Sequence, residues 1–268
     1  MCQLCVFYIW RKSMRLYSPR AAVELFHLVL LDLLGRKVDK KLYALKGGCN
    51  LRFFFKSFRY SDDMDLDVNT TLSKDKLQVI INRILESKTF EKILDVKGIK
   101  IQERSSPKQT DTTQRWKFAL IVPRSSVPLH TKIEFSRRGM KTGLAFDSVD
   151  ANLIRAYELA PILASHYQRE DACVQKVIAL ATRRQIQARD VFDLYFLLTS
   201  GANSAVVCDK AENYIDKAKG TVWEVSYDMF KSQVVSCLQP EYQAQYSSQE
   251  LWDSIILTVV KALGGANQ

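Results

Sequence analysis

Acidic and apolar side chains alternate strictly along the segment Asp63–Val68. Successive side chains of a β-strand point to opposite faces, so this alternation predicts a strand with one acidic face and one apolar face. The acidic face carries Asp63, Asp65 and Asp67. The apolar face needs a core to cover it, which places the strand in a sheet of a globular protein.

Three carboxylates on one strand face repel each other unless a cation lies among them. Magnesium suits such a place, because it takes oxygen ligands and is commonly held by one or two carboxylates together with substrate phosphates. Calcium fits less well, since the segment lacks the glycine and the final glutamate of an EF-hand loop. An exposed acidic strand or turn without a metal is the alternative.

The dipeptide Gly47-Gly48 lies between a predicted short strand, 41–45, and a predicted helix, 49–58. Bare backbone lets amide groups approach a phosphate, and the start of a helix adds favourable partial charge. A plain turn is the alternative. Together with the acidic strand, the glycines predict a place for a triphosphate beside a place for a metal.

A further carboxylate, Glu134, lies in a second alternating segment, where Lys132, Glu134 and Ser136 share a face opposite Ile133 and Phe135. Glu134 is a candidate third metal ligand. It is equally a candidate ion-pair partner of Lys132 or of Arg137.

The remaining pattern predicts a mixed α/β first part followed by helices only. We predict helices at 21–34 (capped by Ser18), 77–85 (capped by Ser73), 171–183, 188–199, 222–238 and 247–263 (with a Ser247/Glu250 capping box). We predict strands at 93–101, 116–122 and 129–136, with an exposed loop at 105–113. The change in pattern between residues 147 and 169 predicts two domains, 1–155 and 156–268.

Composition and charge limit the classes of protein to which this chain can belong. With 268 residues and 47% apolar content the chain can bury a core, and the net charge of +10 favours a polyanionic partner such as nucleic acid. A solvated basic surface is the alternative.

The first apolar run is too short to span a bilayer, so we expect a cytoplasmic protein. Six scattered cysteines, with Cys2 and Cys5 lacking a second pair at zinc spacing, predict neither a disulfide framework nor a structural zinc site.

Two separated motifs together resemble a known family. The first comprises LKGGCNLR at 45–52 and RYSDDMDL at 59–66, and the second KVIAL at 176–180, Arg183 and RDVFDL at 189–194. These motifs are similar to the signatures of the AbiEii/AbiGii family of toxin nucleotidyltransferases, which includes the MenT toxins. The resemblance spans roughly residues 46–197.

The resemblance implies a polymerase β-like nucleotidyltransferase domain with a mixed sheet, followed by an α-helical bundle domain. It implies NTP as substrate and Mg²⁺ or Mn²⁺ as cofactor. The implied catalytic residues are Asp63, Asp65, Glu134, Lys176 and Asp190, the first three of them as metal ligands. The implied nucleotide-binding residues are Gly47, Gly48, Cys49, Arg52, Ser61 and Arg183. The family commonly has a hydroxyl residue after the two glycines, whereas this chain has Cys49 and Asn50.

The spacing of charged residues in the helical motif also supports an interpretation that does not depend on the resemblance. Lys176 and Arg183 lie seven residues apart on one helix face, which predicts a basic stripe that faces the active site. Asp193 lies four residues after Arg189 and three after Asp190, a spacing at which side chains of one helix can pair. Pairing within the helix is therefore the simpler explanation for Arg189 and Asp193.

The predicted reaction moves a nucleoside monophosphate from an NTP to an acceptor hydroxyl. The family's association with toxin-antitoxin and phage-defence systems, together with the basic charge, favours RNA, and tRNA in particular, as the acceptor. A cognate antitoxin protein is a further expected partner. The alternatives are nucleotidyl or phosphoryl transfer to a protein hydroxyl, and a catalytically silent nucleotide- or RNA-binding protein.

Overall fold

The computed structural model describes residues 17–123 and 125–264. These residues form a seven-stranded mixed sheet and twelve α-helices. The strands are β1 (Tyr43–Lys46), β2 (Asp63–Val68), β3 (Lys100–Gln109), β4 (Thr113–Ile121), β5 (Leu129–Ser136), β6 (Leu144–Ser148) and β7 (Leu163–Tyr167). The first six helices are α1 (Pro19–Gly35), α2 (Gly47–Phe54), α3 (Lys74–Leu85), α4 (Lys88–Val96), α5 (Ala151–Ala156) and α6 (Arg169–Thr182). The others are α7 (Ala188–Thr199), α8 (Ser204–Lys210), α9 (Ile215–Trp223), α10 (Tyr227–Gln233), α11 (Pro240–Gln243) and α12 (Gln249–Leu263).

The sheet has the strand order β3-β4-β5-β2-β1-β7-β6. The β2–β5 and β1–β7 pairs are parallel, and the β3–β4 and β4–β5 pairs are antiparallel. This mixture of directions agrees with the predicted mixed α/β fold.

Contact density divides the chain into two compact units, each built from several segments. One comprises the residues up to 44, 62–140 and 154–164, and the other comprises 45–61, 141–153 and 165 onwards. We refer to them as the first and second units. The predicted domains 1–155 and 156–268 are segments that we expect to fold independently, which the contact density does not test. That division therefore stays a prediction.

The core of the first unit forms around α1. Ser18 caps this helix by accepting a hydrogen bond from the Ala21 amide, and the helix that follows is buried along most of its length. Phe26 is fully buried, with its ring centroid 4.9 Å from that of Phe118 and 5.8 Å from that of Phe90. These aromatic contacts join α1 to the sheet and to α4.

The core of the second unit forms between helices. Leu51 of α2 belongs to the same buried cluster as Val177, Phe192 and Trp252. The Trp252 indole also donates a hydrogen bond to the Val225 carbonyl, which satisfies its only donor. The glycine-bearing helix α2 is therefore anchored in an apolar core.

Several elements confirm the sequence predictions. The helix predicted at 21–34, the acidic strand at Asp63–Val68, the strand Leu129–Ser136 and the helix Ala188–Thr199 are all present. Ser73 caps α3 as predicted, by accepting from the Lys76 amide. In each case a clear periodicity of apolar residues or a helix-capping residue marks the element.

Two predictions between residues 93 and 113 are wrong. The predicted strand 93–101 is helix α4 as far as Val96, and only its last two residues belong to a strand, β3. Ser87 caps α4 by accepting from the Phe90 amide. Phe90 and Leu94 lie four residues apart on its buried face, a helical spacing. The predicted loop 105–113 is largely β3, whose polar residues face solvent at the outer edge of the sheet.

Four predictions in other parts of the chain are also corrected. The second half contains β7, a buried five-residue strand, so it is not purely helical. The helix predicted at 222–238 is interrupted, because α9 ends at Trp223 and α10 begins at Tyr227. Ser248, and not Ser247, caps the last helix by accepting from the Leu251 amide. The helix predicted at 49–58 ends at Phe54.

Cys2 and Cys5 lie outside the described residues. In the part of the chain that the structure describes, no helix combines the length and apolar character needed to cross a membrane.

Candidate active site

The acidic strand β2 lies in the first unit, and its burial alternates as the sequence predicts from Asp63 to Leu66 but not at Asp67. Met64 and Leu66 are fully buried, whereas Asp63 and Asp65 are partly exposed. Asp67 is 6% exposed, so it is not part of the open acidic face. Two carboxylates, two residues apart, are therefore presented on one side of the strand.

Strand β5 runs parallel to β2 and places charged residues beside these carboxylates. Asp63 is in register with Lys132, and Asp65 with Glu134. The Lys132 ammonium lies 2.6 Å from Asp63 Oδ2, and both side chains are about a quarter to a third exposed. The acidic face thus carries its own cation.

Glu134 has a partner on the next strand. Its Oε2 lies 2.6 Å from the Arg115 guanidinium, and the two residues are in register on β4 and β5. Neither Lys132 nor Arg137, the partners considered from the sequence, makes this contact. The carboxylate of Glu134 therefore neutralises Arg115, and its role as a metal ligand stays a prediction.

The oxygens of Asp63 and Asp65 are the candidate ligands for a divalent cation on this face. Among residues 17–123 and 125–264, no group of three or more His, Cys, Asp or Glu side chains is arranged to hold a metal. A pair of carboxylates nevertheless fits Mg²⁺, which usually keeps several waters and binds substrate phosphates.

The backbone just before Asp63 is held by a buried hydrogen-bonded chain. The Thr131 hydroxyl donates to the Asp62 carbonyl, and His27 Nε2 lies 2.7 Å from that hydroxyl. Since the hydroxyl uses its proton on Asp62, His27 Nε2 acts as the donor. Burial lowers the pKa of His27 to about 4, against the opposing influence of the Asp63 charge. His27 is therefore neutral at pH 7 and fixes the start of the acidic strand.

The glycine turn lies in the second unit. Gly47 has a φ of 66°, a left-handed conformation that suits glycine, and α2 begins there with no side-chain cap. A β-carbon on Gly48 would lie 2.6 Å from Ser61 Oγ and 3.0 Å from Arg59 Nη2. The start of α2, like that of any helix, is a place where backbone amides can meet an anion, and Ser61 and Arg59 pack against the turn.

The two residues after the glycines point inward. Cys49 and Asn50 are buried, and the Asn50 amide donates to the Tyr167 carbonyl at 2.9 Å. Their side chains hold α2 in place. Any phosphate contact of Cys49 would therefore use its backbone amide.

Arg52 is also largely enclosed. Its guanidinium donates to the Ser57 carbonyl at 2.8 Å and to Gln239 at 3.1 Å, and it lies over the Tyr60 ring. These contacts brace the loop that follows α2. A direct contact of Arg52 with nucleotide stays a prediction.

Lys176 lies between two buried carboxylates of α7. Its ammonium is 2.9 Å from Asp190 and 2.7 Å from Asp193. Arg59 makes a double hydrogen bond to Asp193, and Arg183 lies 2.8 Å from Asp190. We call these five residues, Arg59, Lys176, Arg183, Asp190 and Asp193, the buried charge network.

The network has three cations and two carboxylates, and each carboxylate contacts two of the cations. Burial raises the pKa of Asp193, but Arg59 and Lys176 outweigh this effect and lower it to about 2. Burial alone would lower the pKa of Lys176, but Asp190 and Asp193 raise it. All members except Arg183, whose side chain is 45% exposed, are withdrawn from solvent. Arg183 is the member best placed to meet a soluble phosphate.

The sequence reasoning missed Arg59, Arg115 and His27. The interpretation that Asp193 pairs within its own helix is wrong, because Asp193 binds Arg59 and Lys176 instead. A usable signal for Arg59 was present, since an arginine directly before a buried tyrosine must find a partner if it is buried as well. Its partner lies 134 residues away, at a distance that no local spacing reveals.

The profile of one protein family matches residues 29–260, and that family is described as nucleotidyl transferase AbiEii toxin, type IV toxin–antitoxin system. The chain belongs to the AbiEii family. It is accordingly a nucleotidyltransferase with a toxin role, and the family implies an NTP substrate and a cognate antitoxin. Nucleotidyltransferases generally also use a divalent metal.

Solved structures with the same fold come from Helicobacter pylori. A candidate nucleotidyltransferase from that organism has a TM-score of 0.55 and 16% sequence identity over 93% of this chain and 95% of its own. The H. pylori protein JHP933 has a TM-score of 0.51 and 16% identity over 93% and 92%. No curated protein matches the chain. These likenesses show that the AbiEii chain shares the fold of those two proteins.

Proposed function

We propose that this AbiEii-family enzyme transfers a nucleoside monophosphate from an NTP to a hydroxyl of an RNA, with Asp63 and Asp65 as the ligands of a Mg²⁺ ion. The observation that carries the proposal is the pair of partly exposed carboxylates on one face of β2. When bound, Mg²⁺ would neutralise the charge that develops on the phosphates. Mn²⁺ has the same ligand preference and serves as the alternative ion.

The reaction balances without any further reagent. The acceptor hydroxyl oxygen forms a bond to the α-phosphorus, the bond from that phosphorus to the bridging oxygen breaks, and pyrophosphate leaves. The acceptor proton passes to a base or to water. Glu134 is our candidate for assisting that proton, since its carboxylate lies in the row of Asp65 and is a quarter exposed.

We assign the phosphate-binding role to the glycine turn. Gly47 and Gly48 offer uncapped amides at the start of α2, and a side chain at Gly48 has no room. Ser61 contributes a hydroxyl beside the turn, where the residue after the glycines offers only the buried Cys49. Arg183 supplies an accessible cation. Lys176 and Asp190 support these groups from within the buried charge network.

We favour RNA, and tRNA in particular, as the acceptor because the net charge of +10 attracts polyanions. Such an activity would serve a toxin in a toxin-antitoxin or phage-defence system. Transfer to a protein hydroxyl is the second candidate, because the same carboxylates and amides would support it. A silent nucleotide-binding protein does not agree with the family's enzymatic character.

The test measures label incorporation from each of the four α-³²P NTPs into total RNA and into protein. Wild type is compared with Asp65→Ala and with the matched control Asp111→Ala, an exposed acid of the same unit. We expect label in RNA for wild type and Asp111→Ala, and none for Asp65→Ala. Label in protein alone would overturn the RNA acceptor and support the second candidate. Equal label for Asp65→Ala would overturn the proposed site.

A further inference from the structure

Lys132 occupies a position at the acidic face that a bound cation would share. Its ammonium lies 2.6 Å from Asp63 Oδ2, a contact at the short end for a charged hydrogen bond. The parallel register of β2 and β5 sets the two residues side by side, so the contact follows from the fold of the sheet. Lys132 thus neutralises one of the two carboxylates that we assign to the metal.

This contact differs from the one that Lys176 makes. Lys176 is buried between two carboxylates, and its release would leave each of them with one cation fewer in a buried place. The Lys132–Asp63 pair is 31% and 24% exposed and involves one carboxylate only. Partly exposed pairs contribute little to stability, and a lysine side chain is long and flexible. Lys132 can therefore leave Asp63 at low cost.

The residues that lie opposite each other on β4 and β5 support a role of Lys132 in binding phosphate. Lys117 on β4 lies opposite Lys132, and Arg115 lies opposite Glu134. Arg115 is neutralised by Glu134, whereas Lys132 would lose its counterion once Asp63 binds a metal. A triphosphate that arrives with the metal carries the negative charge that would replace Asp63 as the partner of Lys132.

We propose that Lys132 is a triphosphate-binding residue that exchanges partners: it pairs with Asp63 before the metal–nucleotide complex binds and with the nucleotide phosphates afterwards. The proposal rests on the function proposed above. It adds a residue to the site and gives the metal-free enzyme a cation that neutralises Asp63. It also predicts opposite effects of one substitution on metal and on nucleotide.

The first experiment measures the Mn²⁺ affinity of the nucleotide-free protein by electron paramagnetic resonance. Lys132→Met removes the competing ammonium and keeps the length of the side chain, so we expect Mn²⁺ to bind about three- to tenfold more tightly than in wild type. Lys117→Met is the matched control, because it removes an equal charge one strand further from Asp63. Its affinity should stay within about twofold of wild type. An unchanged or weaker affinity in Lys132→Met overturns the proposal.

The second experiment measures binding of a non-hydrolysable NTP analogue with saturating Mg²⁺ by calorimetry. We expect the dissociation constant to rise about tenfold in Lys132→Met, with substantial recovery in Lys132→Arg, which restores the charge. Unchanged analogue affinity in Lys132→Met overturns the phosphate-binding half. Circular dichroism of each variant confirms that it is folded, and Lys132→Gln repeats both measurements if Lys132→Met is not.

The two proposals fail in different ways. If wild type binds no Mn²⁺, or if Asp65→Asn binds it as well as wild type, the proposed metal site is wrong. If wild type binds Mn²⁺ through Asp65 and Lys132→Met behaves as wild type, only the partner exchange of Lys132 is wrong. Both outcomes are read from binding, independently of the acceptor.

Discussion

Arg59 and Asp193 form a buried double hydrogen bond, with Arg59 Nε and Nη2 each 2.8 Å from a carboxylate oxygen of Asp193. The side chains are 5% and 1% exposed. Arg59 also lies against the Gly48 turn, and Asp193 also binds Lys176. The pair therefore connects the glycine turn with the helical core of the second unit.

Asp193→Asn should strongly destabilise the protein. The substitution leaves Arg59 and Lys176 buried with one counterion fewer, and breaking a buried pair from one side costs about 3–5 kcal/mol. The free energy of unfolding in urea measures the loss. The matched control is Asp216→Asn, whose exposed pair with Lys219 on α9 should contribute nothing measurable. Equal stability of the two variants would show that the network is not structural.

His27 should make the stability depend on pH between about 6.5 and 4. Burial lowers its pKa to about 4 in the folded protein, so over this range the unfolded chain binds a proton that the folded protein does not. The contribution of neutral His27 to the free energy of unfolding is fully present above pH 6.5. About 3 kcal/mol is lost as the pH falls from 6.5 through the pKa of the folded protein.

Urea unfolding at several pH values compares wild type with His27→Gln, which keeps a donor for Thr131 but does not titrate. The stability difference between the two proteins should shrink as the pH falls from 6.5 to 4. His130→Gln, at an exposed position of β5, is the matched control and should follow wild type. Parallel curves for wild type and His27→Gln would contradict a buried neutral His27.

Gly48→Ala should impair nucleotide binding and stability together. The new methyl group would lie 2.6 Å from Ser61 Oγ, closer than packing allows, so the turn or Ser61 must move at a cost of about 1–3 kcal/mol. We expect NTP analogue affinity to fall about tenfold or more. Calorimetry measures the affinity, and urea unfolding the stability.

A matched helix glycine separates crowding from helix propensity. Gly220 of α9 has open space where a β-carbon would be, so Gly220→Ala should stabilise by about 0.5–1 kcal/mol. Adding Ser61→Gly to Gly48→Ala removes both Ser61 atoms that clash and should recover part of the stability. A harmless Gly48→Ala would show that this turn tolerates a side chain and would weaken its assignment to phosphates.

The sequence predicted those parts of the fold in which neighbouring residues determine the secondary structure. Alternation defined the acidic strand, and Ser18 and Ser73 marked helix starts because their hydroxyls accept from amides three residues on. The strand β7 was missed, because a short buried strand resembles a piece of helix in a single sequence. The helix α4 was missed because the strand character of Ile99 to Ile101 was extended back across the turn at Gly98 to Ile93.

Candidate site residues could be found by type, but not their partners. Asp63 and Asp65 were identified from their spacing, whereas Lys132 and Arg115 acquire their contacts from strand register. Register between strands that are distant in the sequence depends on the whole sheet. The same holds for Arg59 and Asp193, which meet only when α2 and α7 pack in one core.

The central claim is that Asp63 and Asp65 hold the ion on which nucleotidyl transfer depends, and a Mg²⁺ titration of NTP turnover tests it most directly. Wild type, Asp65→Asn and the surface control Asp111→Asn are titrated with Mg²⁺ after chelation. We expect Asp65→Asn to lose about 100-fold or more in turnover at saturating Mg²⁺, because several kcal/mol of transition-state stabilisation depend on the ion. Turnover by Asp65→Asn within about threefold of wild type, or turnover by wild type that persists without divalent metal, would contradict the account.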